Sequence, residues 1–315
     1  MRPNEEIGCF DSDFIRDDVM GKRIPLSNGR RLVDDVIHIS NKMPMAAFSA
    51  DWDVALISKL RRMARPKISW NVLMMKAHAI VCQRRPALRQ CYVRFPWAHL
   101  YQHHQNVCMM TIGREHNGEE RLFFARFNEP ENQSLVELQE QYDEYRKAPI
   151  EDIKQFRHQI AFAKCPQFIR RFGWWVMFNM WPQKRASHMG TFGMSISGYK
   201  GAKANGHLGF NATILGTDPT PRKGIAHMVL TFDHQILDGA PAIEVFMESR
   251  RMLTTAVAKE LADMAGVNQN TLEPLSQEEI EKIKFNFEEQ KRQREAEKKL
   301  SRKEKRALTE ARNAA

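Results

Sequence analysis

Leu230-Thr-Phe-Asp-His-Gln-Ile-Leu-Asp-Gly-Ala240 decides how the rest of the chain is read. An apolar run of strand character, Ile225 to Phe232, empties into His234, and a helical pattern starts after Asp238-Gly239. A histidine at the mouth of a strand can be held rigidly, which general-base work requires. Gly239 suggests a backbone turn that a side chain would obstruct, with Asp238 as an anchor for that turn. On its own, His-x-x-x-Asp-Gly is a modest signal, so its surroundings matter.

Two strand-like runs precede this stretch, Thr191 to Ser197 and Leu208 to Gly216, with Gly and Pro clusters separating the three. Met45 to Asp53 alternates loosely, as a half-buried strand does, and Val54, Ile57, Leu60 and Met63 then share a helical face. Trp70 to Cys82 is apolar nearly all round and reads as a helix deep in the domain, ending near Arg85 before Pro86. Cys91 to Val107 holds short β-like pieces around Phe95-Pro96. Met109 to Gly113 and Arg121 to Ala125 read as strands about an Asn117-Gly118 turn. Ser134-Leu-Val-Glu137 has capping-box spacing and opens a helix with Leu135, Leu138 and Tyr142 on one face.

A chain of 315 residues suffices for one sizeable domain with appendages. The reading divides it into an arm (1–23), a domain (24–258) and a charged helical tail (259–315) whose segment Lys291 to Arg306 is strongly basic. The cysteines Cys9, Cys82, Cys91, Cys108 and Cys165 are odd in number and form no Cys-x-x-Cys pair. That pattern argues against a disulfide framework or structural zinc and for a reducing, cytoplasmic location. No signal-peptide pattern or membrane-length apolar run stands out. The formal charge of +10 calls for an anionic partner. No nucleic-acid motif accompanies the charge, so nucleic acid is not the expected partner.

Three stretches together carry a resemblance. Asp233-His234 through Asp238-Gly239 resembles the His-x-x-x-Asp-Gly signature of chloramphenicol acetyltransferase. It is closer still to the Asp-His-Arg-x-x-Asp-Gly form of the dihydrolipoyl acyltransferases, the core components of 2-oxo acid dehydrogenase complexes. Ile24-Pro-Leu-Ser-Asn-Gly-Arg30 resembles the leading segment of that catalytic domain, and Gly190-Thr-Phe-Gly-Met-Ser-Ile-Ser197 its Gly-Thr-Phe-Thr-Ile-Ser strand. The resemblance implies an α/β, chloramphenicol acetyltransferase-like two-layer sandwich with a mixed sheet flanked by helices. It also implies homotrimers, or larger assemblies of trimers, with the active site in a channel between subunits. Coenzyme A would enter one end and the acceptor the other.

Acyl transfer from a thioester needs a base for the incoming nucleophile and a donor for the tetrahedral oxyanion. His234 suits the first task, because imidazole titrates near neutrality. Ser195 and Ser197 face one side of a strand, and aligning Ser195-Ile-Ser197 on the family's Thr-Ile-Ser favours Ser197 as the donor. The resemblance gives Asp238 a structural role, paired with Arg30 or its neighbour Arg31. The expected catalytic set is therefore His234, Ser197 and Asp238, with acyl-CoA as substrate, its binding residues unassigned, and no metal. No covalent intermediate is required, so the lack of a Gly-x-Ser-x-Gly elbow carries no weight. His78 reads as a satisfied core histidine. Adjacent His103-His104 would point to opposite faces of a strand.

Departures from the family bear on the substrate. No lipoyl domain, linker rich in Ala and Pro, or subunit-binding module precedes Ile24, so no bound lipoyl group is expected. Gln235 stands where arginine is usual, and Glu120 to Arg126 replaces a Gly-Leu-Val-Val-Pro-Val type segment. The expectation is a stand-alone acyltransferase acting between coenzyme A and a thiol, hydroxyl or amine acceptor. The alternatives are a core subunit serving lipoyl domains in trans and a catalytically silent scaffold. Phe168 to Trp181 carries three tryptophans and three phenylalanines besides Arg170-Arg171. It reads as a helix packed over the core, with an acyl-chain wall or a peripheral membrane anchor as the rivals.

Overall fold

Side chains that alternate between two covered faces along adjacent strands, β4 (Val107–His116) and β5 (Glu119–Asn128), set the layers of the molecule. Cys108, Met110, Phe123 and Phe127 enter the main core, whereas Met109 and Phe124 enter a second cluster on the opposite face. The computed structural model describes residues 24–196, 206–217, 221 and 223–273. Beyond these it describes 278, 281–282, 285–286, 288–289, 292–293 and 295–296. The arm at 1–23, Ser197 and most of the basic tail lie outside the described residues.

In chain order the helices are α1 (Asn28–Ser40), α2 (Ala55–Met63), α3 (Trp70–Arg84), α4 (Leu135–Lys147), α5 (Lys154–Lys164), α6 (Gln167–Asn179), α7 (Pro182–Met189), α8 (Gly239–Met252) and α9 (Ala258–Ala265). The remaining strands are β1 (Met45–Asp53), β2 (Gln90–Val93), β3 (His99–Gln102), β6 (Phe192–Ile196), β7 (Thr213–Thr217) and β8 (Ile225–Asp233). The main sheet runs β1-β8-β7-β6-β4-β5, and β2-β3 form a separate hairpin. Pairings of β6 with β4 and with β7 are parallel; the others are antiparallel. A mixed α/β sheet flanked by helices is thus what the chain builds.

One sheet face carries α3, whose residues from Val72 to Ala79 are buried nearly without exception, together with α4, α8 and α9. Its core continues through Ala258, Leu261, Ala262 and Val267, so the domain boundary drawn at 258 falls within packed structure. The other face is covered at its β4–β5 end by α1, α5, α6 and α7. At its β1 end Ala47, Ser49 and Asp51 remain exposed.

Local signals explain several boundaries. Ser134 and Glu137 close a reciprocal capping box on α4, as the spacing predicts. Asn117 and Gly118 take positive φ in the β4–β5 hairpin. The run from Leu208 does not start a strand: β7 begins only at Thr213. Its earlier residues bond elsewhere, Gly209 N–H to Ser40 Oγ at 3.0 Å and Asn211 Nδ2 to Met189 and Gly190 carbonyls at 2.9 Å. The main-chain carbonyls of Phe210 and Ala212 likewise accept from Arg185 and from the Asp233 N–H, so this backbone is paired outside a regular ladder.

The turn Pro130–Asn132 presses Glu131 toward the end of α3, with its Oε2 buried and unpartnered among the described residues. Burial lifts this carboxyl to about 7, against the pull of hydrogen bonds from its backbone and from Asn106. Between its ordinary value of 4.5 and 7 the folded state holds a proton that the unfolded chain has lost. Stability therefore falls as pH rises through that window and levels off above it. Glu131→Gln should match wild type near pH 4 and exceed it at pH 8 by up to about 3 kcal/mol, from ~1.4 kcal/mol per pKa unit. Urea melts at the two pH values measure the difference.

Candidate active site

The end of β8 is fixed from both sides. Asp233 stands opposite Met45 in the β1 ladder, and the backbone N–H of His234 donates to Pro44 O at 3.0 Å. The His234 ring meets Phe232 edge-on at 4.9 Å, and Phe232 in turn stacks on Phe48 at 5.3 Å. Beyond this aromatic support the imidazole is exposed, and its nitrogens contact no other described residue by a hydrogen bond. A rigid mount with a free ring is what a general base requires.

The turn after His234 is anchored by Asp233 and not by Asp238. The Asp233 carbonyl accepts the N–H groups of Ile236 and Leu237 at 3.0 Å, and its Oδ1 accepts that of Gln235 at 2.9 Å. Asp238 occupies the N-cap of α8 without a side-chain cap and is exposed. Gly239 does not mark a forbidden turn either: a Cβ there would meet only Phe48 at 3.7 Å, an ordinary contact.

The expected pairing of Asp238 with Arg30 is not formed. Arg30 sits exposed in the first turn of α1, where its charge helps lower the Glu119 carboxyl. The last turn of α1 is the one that leads through Pro44 to His234. At ~1.5 Å per residue, the helix separates Arg30 from that end by roughly 15 Å.

Behind the turn lies a buried polar cluster. Asp233 Oδ2 is enclosed with no partner among the described residues, and burial raises its carboxyl, opposed by the Gln235 N–H bond and then by the fields of Arg185, His234 and Arg94. Arg185 is itself buried, donating to the carbonyls of Tyr92 and Phe210 and lying over the Phe178 ring at 4.5 Å. Cys91 Sγ lies 3.5 Å from His103 Nε2. Burial holds the His103 imidazole down to about 4 and pushes the thiol up, so the pair is neutral and inert near neutrality. His103 is buried and His104 exposed, in the loop after β3 and not on a strand. His78 is the core residue expected, bonded to Ser249 and Thr213 at 2.9 Å and held down to about 4 by burial.

Of the two candidate serines, Ser195 stands on β6 and Ser197 lies outside the described residues. Phe192 and Met194 point into the main core, which places Ser195 on the opposite face, the one left partly open. Ser195 is level with Gly216, and Gly216 with Val229. Val229 is five residues from His234, so the two side chains are at least roughly 15 Å apart within one chain at ~3.3 Å per strand residue. The chain alone does not bring them together.

His207 was not singled out by sequence, yet its ring covers Gly216 beside Ser195. A Cβ on Gly216 would lie 1.9 Å from His207 Cε1, so only glycine allows that approach. Its backbone N–H donates to Thr231 Oγ1 at 3.2 Å, and burial lowers its imidazole. No periodicity marks this histidine, because it follows a Gly-rich segment. Among the described residues no cluster of His, Cys, Asp or Glu could hold a metal, and no helix is long and apolar enough to cross a membrane.

No family model and no curated protein matches this sequence. Similarity appears among solved structures. An Azotobacter vinelandii dihydrolipoamide acetyltransferase, studied for the roles of a serine, a histidine and an asparagine in its mechanism, aligns at TM-score 0.56 and 15% identity. The alignment covers 80% of this chain and 98% of that one. The truncated catalytic core of a Thermoplasma acidophilum 2-oxoacid dehydrogenase complex aligns at 0.53 and 15%, covering 75% and 99%. A probable dihydrolipoamide acetyltransferase from Listeria monocytogenes aligns at 0.52 and 15%, covering 74% and 94%. The chain has the fold of these acyltransferase cores, the chloramphenicol acetyltransferase-like fold that the three sequence stretches imply.

Proposed function

We propose that this chain, built on the acyltransferase-core fold, is a cytoplasmic acyl-CoA-dependent acyltransferase with His234 as its general base. The observation that carries the reading is the placement of His234: mounted on an aromatic base at the exposed end of β8, with both ring nitrogens open to an acceptor. The imidazole takes the proton of the acceptor's thiol, hydroxyl or amine as that atom attacks the thioester carbonyl. A serine hydroxyl donates to the resulting oxyanion. Collapse expels the coenzyme A thiolate, which recovers the proton from the imidazolium, leaving acyl-acceptor and free coenzyme A.

Ser195, which stands on β6, is taken as the donor, whereas the sequence alignment favours Ser197. Ser195→Ala should lower kcat about 10²–10³-fold, as loss of one oxyanion donor does. Loss confined to Ser197→Ala would return the role to Ser197. Asp238 completes the set: in the Azotobacter enzyme the named histidine and asparagine are also four positions apart. Its carboxylate here is exposed, on the α8 cap that follows His234.

The separation of Ser195 from His234 makes the site a shared one. The β8 end of one copy meets the open sheet face of the next, in a cyclic trimer. The excess of basic side chains favours the coenzyme A phosphates as the anionic partner. The test supplies acetyl-, octanoyl- and palmitoyl-CoA with dihydrolipoamide or a metabolite extract, following free thiol and acylated products by mass spectrometry. Acceptor-dependent coenzyme A release above the His234→Ala background supports the reading; none with any donor overturns it.

A further inference from the structure

A cavity of about 950 Å³ lies at the β5 edge of the sheet, away from His234, between β5, α4, α5, α6 and α7. β5 is four strands from β8, roughly 19 Å at ~4.8 Å per strand, so within one chain this is a separate place. Its volume is at the upper end of the ~300–1,000 Å³ range of small-molecule sites.

Two features keep it open. β5 is the sheet edge, and the backbone of Phe124 is satisfied by side chains instead of a strand: its N–H donates to Gln159 Oε1 at 3.0 Å, and its carbonyl accepts from Gln155 and Gln159 at 2.8 Å. These glutamines hold α5 off the sheet by the length of a side chain. Gly173, in the middle of α6, is the second. A helical glycine costs about 1 kcal/mol relative to alanine. The protein's own packing does not demand it, since a Cβ there would meet only the Phe162 ring, at 3.7 Å. What its missing side chain does provide is room, because Gly173 lines the cavity.

The lining is amphipathic. Phe124, Phe162, Trp174, Met177 and Met189 form an apolar wall. Lys154, His158 and Arg126 lie at its polar side, with the exposed His158 ring unpartnered among the described residues. Arg126 uses its Nη1 on the Ser187 carbonyl, and the rest of its guanidinium has no partner among those residues. The carboxylates Glu144 and Asp152 also line the cavity, both exposed at its mouth.

We propose that this cavity is a binding site for a single long hydrocarbon chain with an anionic head, of the free fatty acid class. The chain lies along the Trp174 wall and the carboxylate head meets Arg126 and His158. Occupancy does not involve His234, so the site stands or falls independently of acyl transfer.

Palmitate brominated along its chain is the probe, since bromine quenches a tryptophan that it touches. Trp175→Phe/Trp181→Phe removes the exposed tryptophans of the α6 region and serves as background. Saturable quenching at one equivalent is expected there, unchanged by His234→Ala and by Gly173→Ala. Gly173→Leu should weaken binding at least tenfold while its thermal melt stays at that of Gly173→Ala. The brominated alcohol of equal length should bind at least tenfold more weakly than the acid. Quenching that is absent, non-saturable or indifferent to Gly173→Leu overturns the site, and equal binding of acid and alcohol overturns the anionic head.

Discussion

His234→Ala should abolish acyl transfer, lowering kcat by about two to four orders of magnitude, the range for a positioned base. Stability should hardly change. The ring is exposed and its sole described contact is the edge of Phe232, while the backbone bond to Pro44 survives any substitution. Circular dichroism and thermal melts of the variant should therefore overlay those of wild type. Turnover near the wild-type rate would remove His234 from the mechanism. A collapsed melt would mean that the residue is structural. Asp233→Ala behaves differently, because it removes the Oδ1 that accepts the Gln235 N–H and braces the turn. It should disturb the position of His234 without supplying any proton, so kcat falls while the shape of the pH profile is kept.

Asp35→Leu should cost about 3–5 kcal/mol, the usual result of leaving a buried charge, here that of Arg170, without its partner. Arg170 and Asp35 are both almost wholly enclosed and meet at 2.7 Å. Arg171 Nε also reaches Asp35, at 3.2 Å, and Trp174 Nε1 donates to it at 3.3 Å. This cluster locks α6 onto α1. The double change Asp35→Leu/Arg170→Met should recover most of the loss, since a buried ion pair replaced by apolar residues is often neutral or better. Urea melts of the two single variants and the double one form the cycle. Additive losses would show that the pair contributes nothing beyond its separate parts.

The same cluster explains how much of Phe168 to Trp181 could be read in advance. A helix packed over the core is what forms, with Trp174 and Phe178 buried. The two arginines that interrupt the apolar run do not face solvent as a membrane anchor's would. They turn inward to carboxylates 135 and more positions earlier, which no local period reveals. Phe168, Phe172 and Trp175 stay exposed.

α1 escaped the sequence reading for a related reason. Ser27 caps it and Leu32 and Ile39 are buried, but Asp35 and Ser40 break its apolar stripe with buried polar groups. α5 has only Phe156 and Ala163 fully buried, too sparse a pattern to stand out. Strands β1, β4, β5 and β8 were legible because each alternates or forms a bounded apolar run. At the candidate site, the motif marks the end of β8 where His234 and Asp233 stand, but not which carboxylate holds the turn. Which carboxylate anchors a turn depends on side-chain direction. The distance from Ser195 to His234 depends on register through β7 and β8, a tertiary quantity that spacing does not encode.

That distance makes the central claim testable by mixing subunits. His234→Ala and Ser195→Ala are each inactive by this account, but each supplies the group that the other lacks. Co-assembled after joint unfolding and refolding, a random ring should hold about one site in four with both groups intact, since each site draws on two neighbouring copies. Coenzyme A release from acetyl-CoA should then return to about a quarter of the wild-type rate, and stay absent when the variants are merely mixed without exchange. A mixture that remains inactive, although wild type is active and the variants demonstrably share one assembly, would contradict an acyl-transfer site built from His234 of one copy and Ser195 of the next.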